Sequence, residues 1–200
     1  MSDEFTATFE KFWSYFRVRW CETHDLGGAT AFFHETVKVP MYHRVAHVNV
    51  SASDVDRLIG DSLSFFKEKR YDCAFTLSPS DRPTDLGDRL ESHGFDLVLQ
   101  ATAMCYDDDE APTASPAVAV ELVGAEGYDL WADVMCRSFE FPADVGEVGR
   151  TALEGPELRL YLAFVDGQPA GTAMLYSEFD MGYIDLVGTL PEHRRRGVAS

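Results

Sequence analysis

The chain is 200 residues long and carries a formal net charge of −17, from 17 Lys and Arg against 34 Asp and Glu. That length allows one large or two small domains with real cores, and 46% apolar residues exclude a wholly disordered chain. An acidic field of this size repels phosphate backbones, which excludes broad nucleic-acid binding.

The N-terminal residues lack both a basic region and an apolar run, so they are not expected to be a signal peptide. No run approaches the length needed to span a bilayer, so no membrane partner is expected. From about Glu4 to His24 the residues Phe5, Phe9, Phe12, Trp13, Phe16 and Trp20 recur at three- and four-residue intervals, which predicts a helix ended by Gly27-Gly28. Ala31 to Val39 and His43 to Val50 read as strands separated by Pro40. Ser53 and Asp56 then stand three apart like a capping box with Asp in place of Glu. The helix they open runs to about Arg70 and carries Leu58, Ile59, Leu63 and Phe66. Cys73 to Leu77 predicts a short strand, Pro79 to Pro83 a turn-rich connection, Thr84 to His93 a helix, and Leu97 to Tyr106 another strand. His43 and His47 stand four apart, a spacing that suits a metal on a helix. Here they fall in a strand pattern without a third ligand, so they read as structural and no metal is expected.

Residues 107–116 open with Asp107-Asp108-Asp109-Glu110 and continue with two prolines. They read as an acidic linker between residues 1–106 and residues 117–200. Ala117 to Val123 alternates as a strand. Gly127 to Phe139 predicts a helix with Leu130, Trp131, Val134 and Met135 on its apolar face, and Pro142 precedes a second helix to about Leu153. Leu158 to Val165 and Ala170 to Tyr176 read as strands joined by the hairpin chemistry of Asp166-Gly167-Gln168-Pro169. Met181 to Thr189 is a further strand, rich in aromatic and branched residues at Tyr183, Ile184, Leu186 and Val187. Cys21, Cys73, Cys105 and Cys136 are widely spaced without a CxxC pair, as in a reduced, cytoplasmic protein. The lysines are only Lys11, Lys38, Lys67 and Lys69. Such a surface stays solvated in concentrated salt, which points to a halophilic source; an ordinary acidic cytosolic protein has the same composition.

The last stretch stands against the acidic background. Gly188, Thr189 and Pro191 interrupt the strand, and Arg194, Arg195 and Arg196 precede Gly197. A strand breaking into a loop that opens a helix aims unpaired backbone N–H groups at one point, which is an anion site. Gly197 and Ala199 let a phosphate approach the backbone closely. The local physics predicts pyrophosphate.

Arg194-x-x-Gly197-x-Ala199, after a strand and Thr189-x-Pro191, resembles the acyl-CoA signature of the GNAT acetyltransferase superfamily. The order of elements from Ala117 to Ser200 is similar to the first half of that fold. Residues 1–106 hold no match to the signature, and their later elements, through Leu90 and Gly94-Phe95, resemble the second half of a degenerate GNAT-like domain. The resemblance implies an α+β (mixed α/β) fold with a central, mostly antiparallel sheet flanked by helices in two GNAT-like halves. Because the family pattern continues past the signature helix, the chain is expected to be a truncated acetyltransferase whose general acid lies beyond residue 200.

The implied reaction is direct transfer of an acetyl group from acetyl-CoA to an amine of a small molecule or peptide. The implied alternative is a non-catalytic acyl-CoA-binding or interaction module of the same fold. A homodimer is compatible with either. Val187, Gly188 and Thr189 fall where the family's fourth strand would hold the pantetheine arm. Arg194, Arg195, Arg196, Gly197, Val198 and Ala199 would cradle the pyrophosphate. An amine must lose a proton to attack, so a carboxylate or ordered water is wanted nearby. Strand alternation places Asp185 on the face of Val187 and Thr189, making it the base candidate ahead of Glu178 and Asp180; a structural or charge-reading role is equally open. Cys136 has no His partner signal for a covalent route.

Overall fold

In this computed structural model residues 3–106, 117–178 and 181–199 are described. The expected linker, residues 107–116, and Asp180 lie outside them. The chain divides into two compact units, Met1–Tyr106 and Asp107–Ser200. Both are mixed α+β, each built on its own four-stranded sheet.

In the first unit, helix α1 (Asp3–Arg17) is followed by β1 (Glu22–Asp25), β2 (Thr30–Phe33), β3 (Arg44–Ala46), helix α2 (Val55–Lys69), β4 (Ala74–Phe75) and helix α3 (Leu86–Ser92). The sheet order is β1-β2-β3-β4, antiparallel except for the parallel β3–β4 pair that α2 connects. Alternation assigns the two faces of this sheet. Ala31, Phe33 and Val45 pack with Val55, Leu58, Ile59 and Phe66 of α2 and with Leu86 and Leu90 of α3. Complete burial of a side chain such as Leu58, Ile59 or Phe66 contributes about 1.5–3 kcal/mol. Phe32 points the other way, and Trp13 of α1 meets it edge-on with ring centroids 5.7 Å apart.

Three expectations change here. The helix read as far as His24 stops at Arg17, and Glu22–Asp25 is a strand. Gly27 and Gly28 serve the β1–β2 hairpin instead, at φ 70° and 111°. Gly27 N–H donates to Asp25 Oδ1 and Leu26 N–H to the Ala29 carbonyl. The capping box at Ser53 and Asp56 does not form, because Asp54 is the N-cap and lacks a side-chain cap bond. Leu97 to Tyr106 forms no strand; Leu97, Val98 and Leu99 are 73%, 91% and 77% exposed. Alternation supplies a strand's pattern, but a strand also needs an edge to pair with, and this segment has none among the described residues.

In the second unit, β5 (Val118–Leu122), α4 (Tyr128–Phe139), α5 (Ala143–Ala152), β6 (Leu158–Val165), β7 (Gln168–Glu178) and β8 (Met181–Thr189) follow in order. The sheet runs β5-β6-β7-β8, antiparallel throughout. Asp166 and Gly167, both at positive φ (52° and 73°), turn β6 into β7 as the strand twist demands. Pro169, which has no N–H to give, sits at an irregularity in that ladder, opposite Phe164. Helix α4 buries Trp131, Val134 and Met135 against the sheet, while Leu130, expected on that face, is 42% exposed. No helix among the described residues is long and apolar enough to cross a membrane.

Candidate functional site

The site is built around an interruption in β8. Thr172 of β7 pairs with Gly188, but Met174 pairs with Asp185, so β8 carries one extra residue in that interval. Leu186 absorbs it at φ 51°, a conformation that a branched side chain seldom adopts. Side chains hold the loosened backbone. Thr172 Oγ1 donates to the Leu186 carbonyl (3.0 Å), Leu186 N–H donates to Asp185 Oδ1 (2.7 Å), and Trp131 Nε1 donates to the Ala173 carbonyl (3.4 Å). Trp131 is fully buried, so α4 is fastened to the sheet at the interruption itself.

The bulge also reverses which side chains share a face. Register partners lie on one face, so Asp185 and Gly188 go with Met174 and Thr172, whereas Thr189, opposite Gly171, lies on the other with Val187. The expectation that Asp185, Val187 and Thr189 point the same way is therefore corrected. One inserted residue flips the parity between positions 185 and 187.

Asp185 lies on the face that α4 covers. A Cβ on Gly188 would come within 2.7 Å of Ser138 Cβ and 2.9 Å of Phe139 Cε2, so only glycine lets the end of α4 approach β8 this closely. Ser138 Oγ is buried there without a partner among the described residues. Asp185 Oδ2 accepts a bond from the Tyr183 hydroxyl at 3.1 Å, and Tyr176 donates to Glu178 Oε2. Phe139 and Phe141 stack 5.4 Å apart at the turn between α4 and α5.

The signature loop lies on the opposite face. Pro191–His193 makes one 3-10 turn, and Arg194 to Ala199 continues in turns rather than opening an α-helix among the described residues. Arg195 and Gly197 take positive φ (62° and 75°) on either side of Arg196. The donors expected of a helix N-terminus are here those of a turn, where alternation with left-handed residues can converge N–H groups on an anion. Arg194 N–H is already bonded to the Pro191 carbonyl at 3.4 Å. The N–H groups of Arg195, Arg196, Val198 and Ala199 have no partner among the described residues. Val198 seats the loop: a Cβ on Gly171 would meet Val198 Cγ1 at 2.7 Å and the Gly188 carbonyl at 2.5 Å.

The three arginines part company. Arg196 bonds to Asp166 in the β6–β7 turn at 2.7 Å, Arg194 Nε reaches only the Thr189 carbonyl at 3.4 Å, and Arg195 is exposed. Arg194 and Arg195 form no ion pair among the described residues, so two cations remain for an anionic ligand. Val187, 45% exposed, and Thr189 flank the outer edge of β8, which no strand among the described residues occupies. This open edge, glycine-seated loop and pair of unneutralised arginines fit the pantetheine and pyrophosphate of a coenzyme A thioester.

The other candidates fall outside this site. His43 is buried, stacked on Tyr71 at 3.7 Å and bonded through Nε2 to the Val37 carbonyl, and burial holds its pKa below the usual value. His47 lies against Trp13 and Phe32 and bonds to Ser14. Cys136 is buried, with its thiol pushed up by burial, and Sγ reaches the Pro142 carbonyl at 3.6 Å. All four cysteines are free. Sequence reasoning missed Gly171, Thr172 and Trp131; a glycine inside each of two neighbouring strands was the available signal of close backbone approach.

Residues 128–200 match the family model described as Acetyltransferase (GNAT) family. A GCN5-related N-acetyltransferase from Kribbella flavida superposes with a TM-score of 0.73 at 19% identity, over 97% of this chain and 76% of that one. A functionally unknown conserved protein from Staphylococcus epidermidis ATCC 12228 gives 0.55 at 12% identity, over 89% and 74%. At such identities the likeness is one of fold. No curated protein matches the chain. The signature loop and the bulged edge strand thus fall within the stretch, residues 128–200, that matches the acetyltransferase (GNAT) family model, in a chain that shares the fold of the Kribbella flavida protein.

Proposed function

We propose that the chain transfers an acetyl group from acetyl-CoA to an amine of a small molecule or peptide. The observation that carries this reading is the signature loop seated on Gly171 beside the bulged edge of β8. Acetyl-CoA supplies an electrophilic thioester and a pyrophosphate anchor. The turn N–H groups of Arg195, Arg196, Val198 and Ala199 bind that anchor, with Arg194 and Arg195 screening its charge. The outer edge of β8 at Val187, Gly188 and Thr189 aligns the pantetheine arm.

Asp185 sits on the α4 face, across the strand from the loop. An amine approaching beneath Phe139 and Phe141 therefore meets the thioester from the side opposite the anchor. Asp185 accepts the ammonium proton, and its bonds to Leu186 N–H and the Tyr183 hydroxyl fix the carboxylate's direction. Glu178, on the same sheet face four residues along β7 from the partner of Asp185, adds a second negative charge that favours a cationic acceptor.

Calorimetric titration with acetyl-CoA, beside Gly197→Trp, tests this. Binding by the parent chain and its loss in a folded Gly197→Trp variant are expected, since a bulky side chain at φ 75° closes the loop to phosphate. Absence of binding by the folded parent, or equal binding by both, would overturn the assignment.

A further inference from the structure

A second concentration of positive charge lies in the first unit, half-buried between α1 and its sheet. Arg44 and Phe32 are register partners and share a sheet face. Trp13 meets Phe32 on that face at 5.7 Å, and the Arg17 guanidinium carbon lies 5.2 Å from the Trp13 ring centroid. Trp20 meets Tyr42, two residues before Arg44, at 6.0 Å, and Cys21 Sγ reaches the Tyr42 carbonyl at 3.8 Å. Arg44 donates to Thr76 Oγ1 at 3.1 Å.

Within this cluster Arg17 Nε, Arg44 Nε and Trp20 Nε1 are buried N–H groups without a partner among the described residues. Trp20 is only 6% exposed. Neither Arg17 nor Arg44 forms an ion pair among the described residues, in a chain with 34 carboxylates. Burial first, and then the Arg17 charge, hold the Arg44 pKa down to about 10. Cys21 does not supply the missing negative charge, because burial pushes its thiol up to about 11 and keeps it neutral. Desolvating two like charges without a counterion is costly, so a native structure that does so is poised for an anion.

We propose that Arg17, Arg44 and Trp20 form a binding site for a phosphate dianion, free or as a monoester. Two guanidinium charges match two negative charges, whereas a carboxylate leaves one cation unneutralised. Phosphate also offers enough oxygens to accept from more than one of these unpartnered N–H donors. This site belongs to the first unit and is independent of the donor loop at Arg194–Ala199.

The Trp20 indole N–H gives a local readout. In the full chain labelled with 15N-tryptophan, inorganic phosphate is titrated at constant ionic strength against sodium chloride, with Trp20→Phe assigning the resonance. A saturable shift of the Trp20 indole signal is expected while that of Trp131, bonded to Ala173 in the second unit, stays put. Arg44→Gln should weaken this affinity about tenfold or more. Tighter binding of glycerol 3-phosphate supports an esterified ligand, and tighter binding of inorganic phosphate supports the free ion. A Trp20 signal that responds equally to chloride, or equally to acetate, overturns the proposal. So does undiminished affinity in folded Arg44→Gln. Should that variant fail to fold, Arg17→Lys and the parent titration decide alone.

Discussion

Asp185 holds two positions at once, and its two oxygens divide the work. Oδ1 takes the Leu186 N–H that the bulge frees, and Oδ2 takes the Tyr183 hydroxyl. Asp185→Asn keeps an acceptor at Oδ1 and removes the basic carboxylate, so it separates proton transfer from backbone support. Under the proposed role, kcat/KM for acetyl transfer falls about 100- to 10,000-fold. Acetyl-CoA affinity measured by calorimetry is unchanged. Asn activity within a few-fold of the parent would remove Asp185 from the chemistry. The sequence names this residue by strand alternation, which sets it on the face of Val187 and Thr189. That face is the wrong one, because alternation is read by counting, and a bulge changes the count without leaving a mark in residue type.

The bulged strand is held from three sides, and its cost can be measured at Thr172. This residue is 4% exposed, and its hydroxyl is bonded to the Leu186 carbonyl. Thr172→Val keeps the shape and leaves that carbonyl without its partner, so unfolding free energy should drop by about 1–3 kcal/mol. Denaturant unfolding monitored by circular dichroism reads the change, and a loss below about 0.5 kcal/mol would mean that water replaces the hydroxyl. Elements with a strong period are legible in the sequence. The stripes that formed α2 and α4 and the Asp166-Gly167 turn follow from local chemistry. Where pairing decides, local signals misled: Gly27-Gly28 reads as a helix stop as readily as a hairpin turn, and Leu97 to Tyr106 has a strand's pattern without a partner. The Arg17–Arg44–Trp20 cluster was invisible for the same reason. Nothing in sequence brings position 44 beneath position 17 until β2 and β3 pair.

At the scale of the molecule, charge imbalance is the property most directly given by composition, and it makes a claim about stability. A net charge of −17 means that folding crowds like charges together. Surface ion pairs such as Arg57 with Asp54 and Asp61, or Arg137 with Asp133 and Glu192, answer only part of it. They are exposed and individually worth about 0–1 kcal/mol. Salt shortens the Debye length from about 30 Å at 0.01 M to about 10 Å at 0.1 M and about 3 Å at 1 M. Long-range repulsion is therefore mostly screened by about 0.1 M, while contact between ions and a carboxylate-rich surface continues to matter beyond it. The thermal midpoint should rise between about 0.01 and 0.1 M sodium chloride, by scanning calorimetry at fixed pH. Levelling there identifies simple screening of an acidic protein. A rise that continues through the molar range, and that potassium chloride reproduces, identifies a surface adapted to concentrated salt. A midpoint that falls with salt over the first interval would show that the favourable ion pairs outweigh the repulsion, contrary to what the charge count implies.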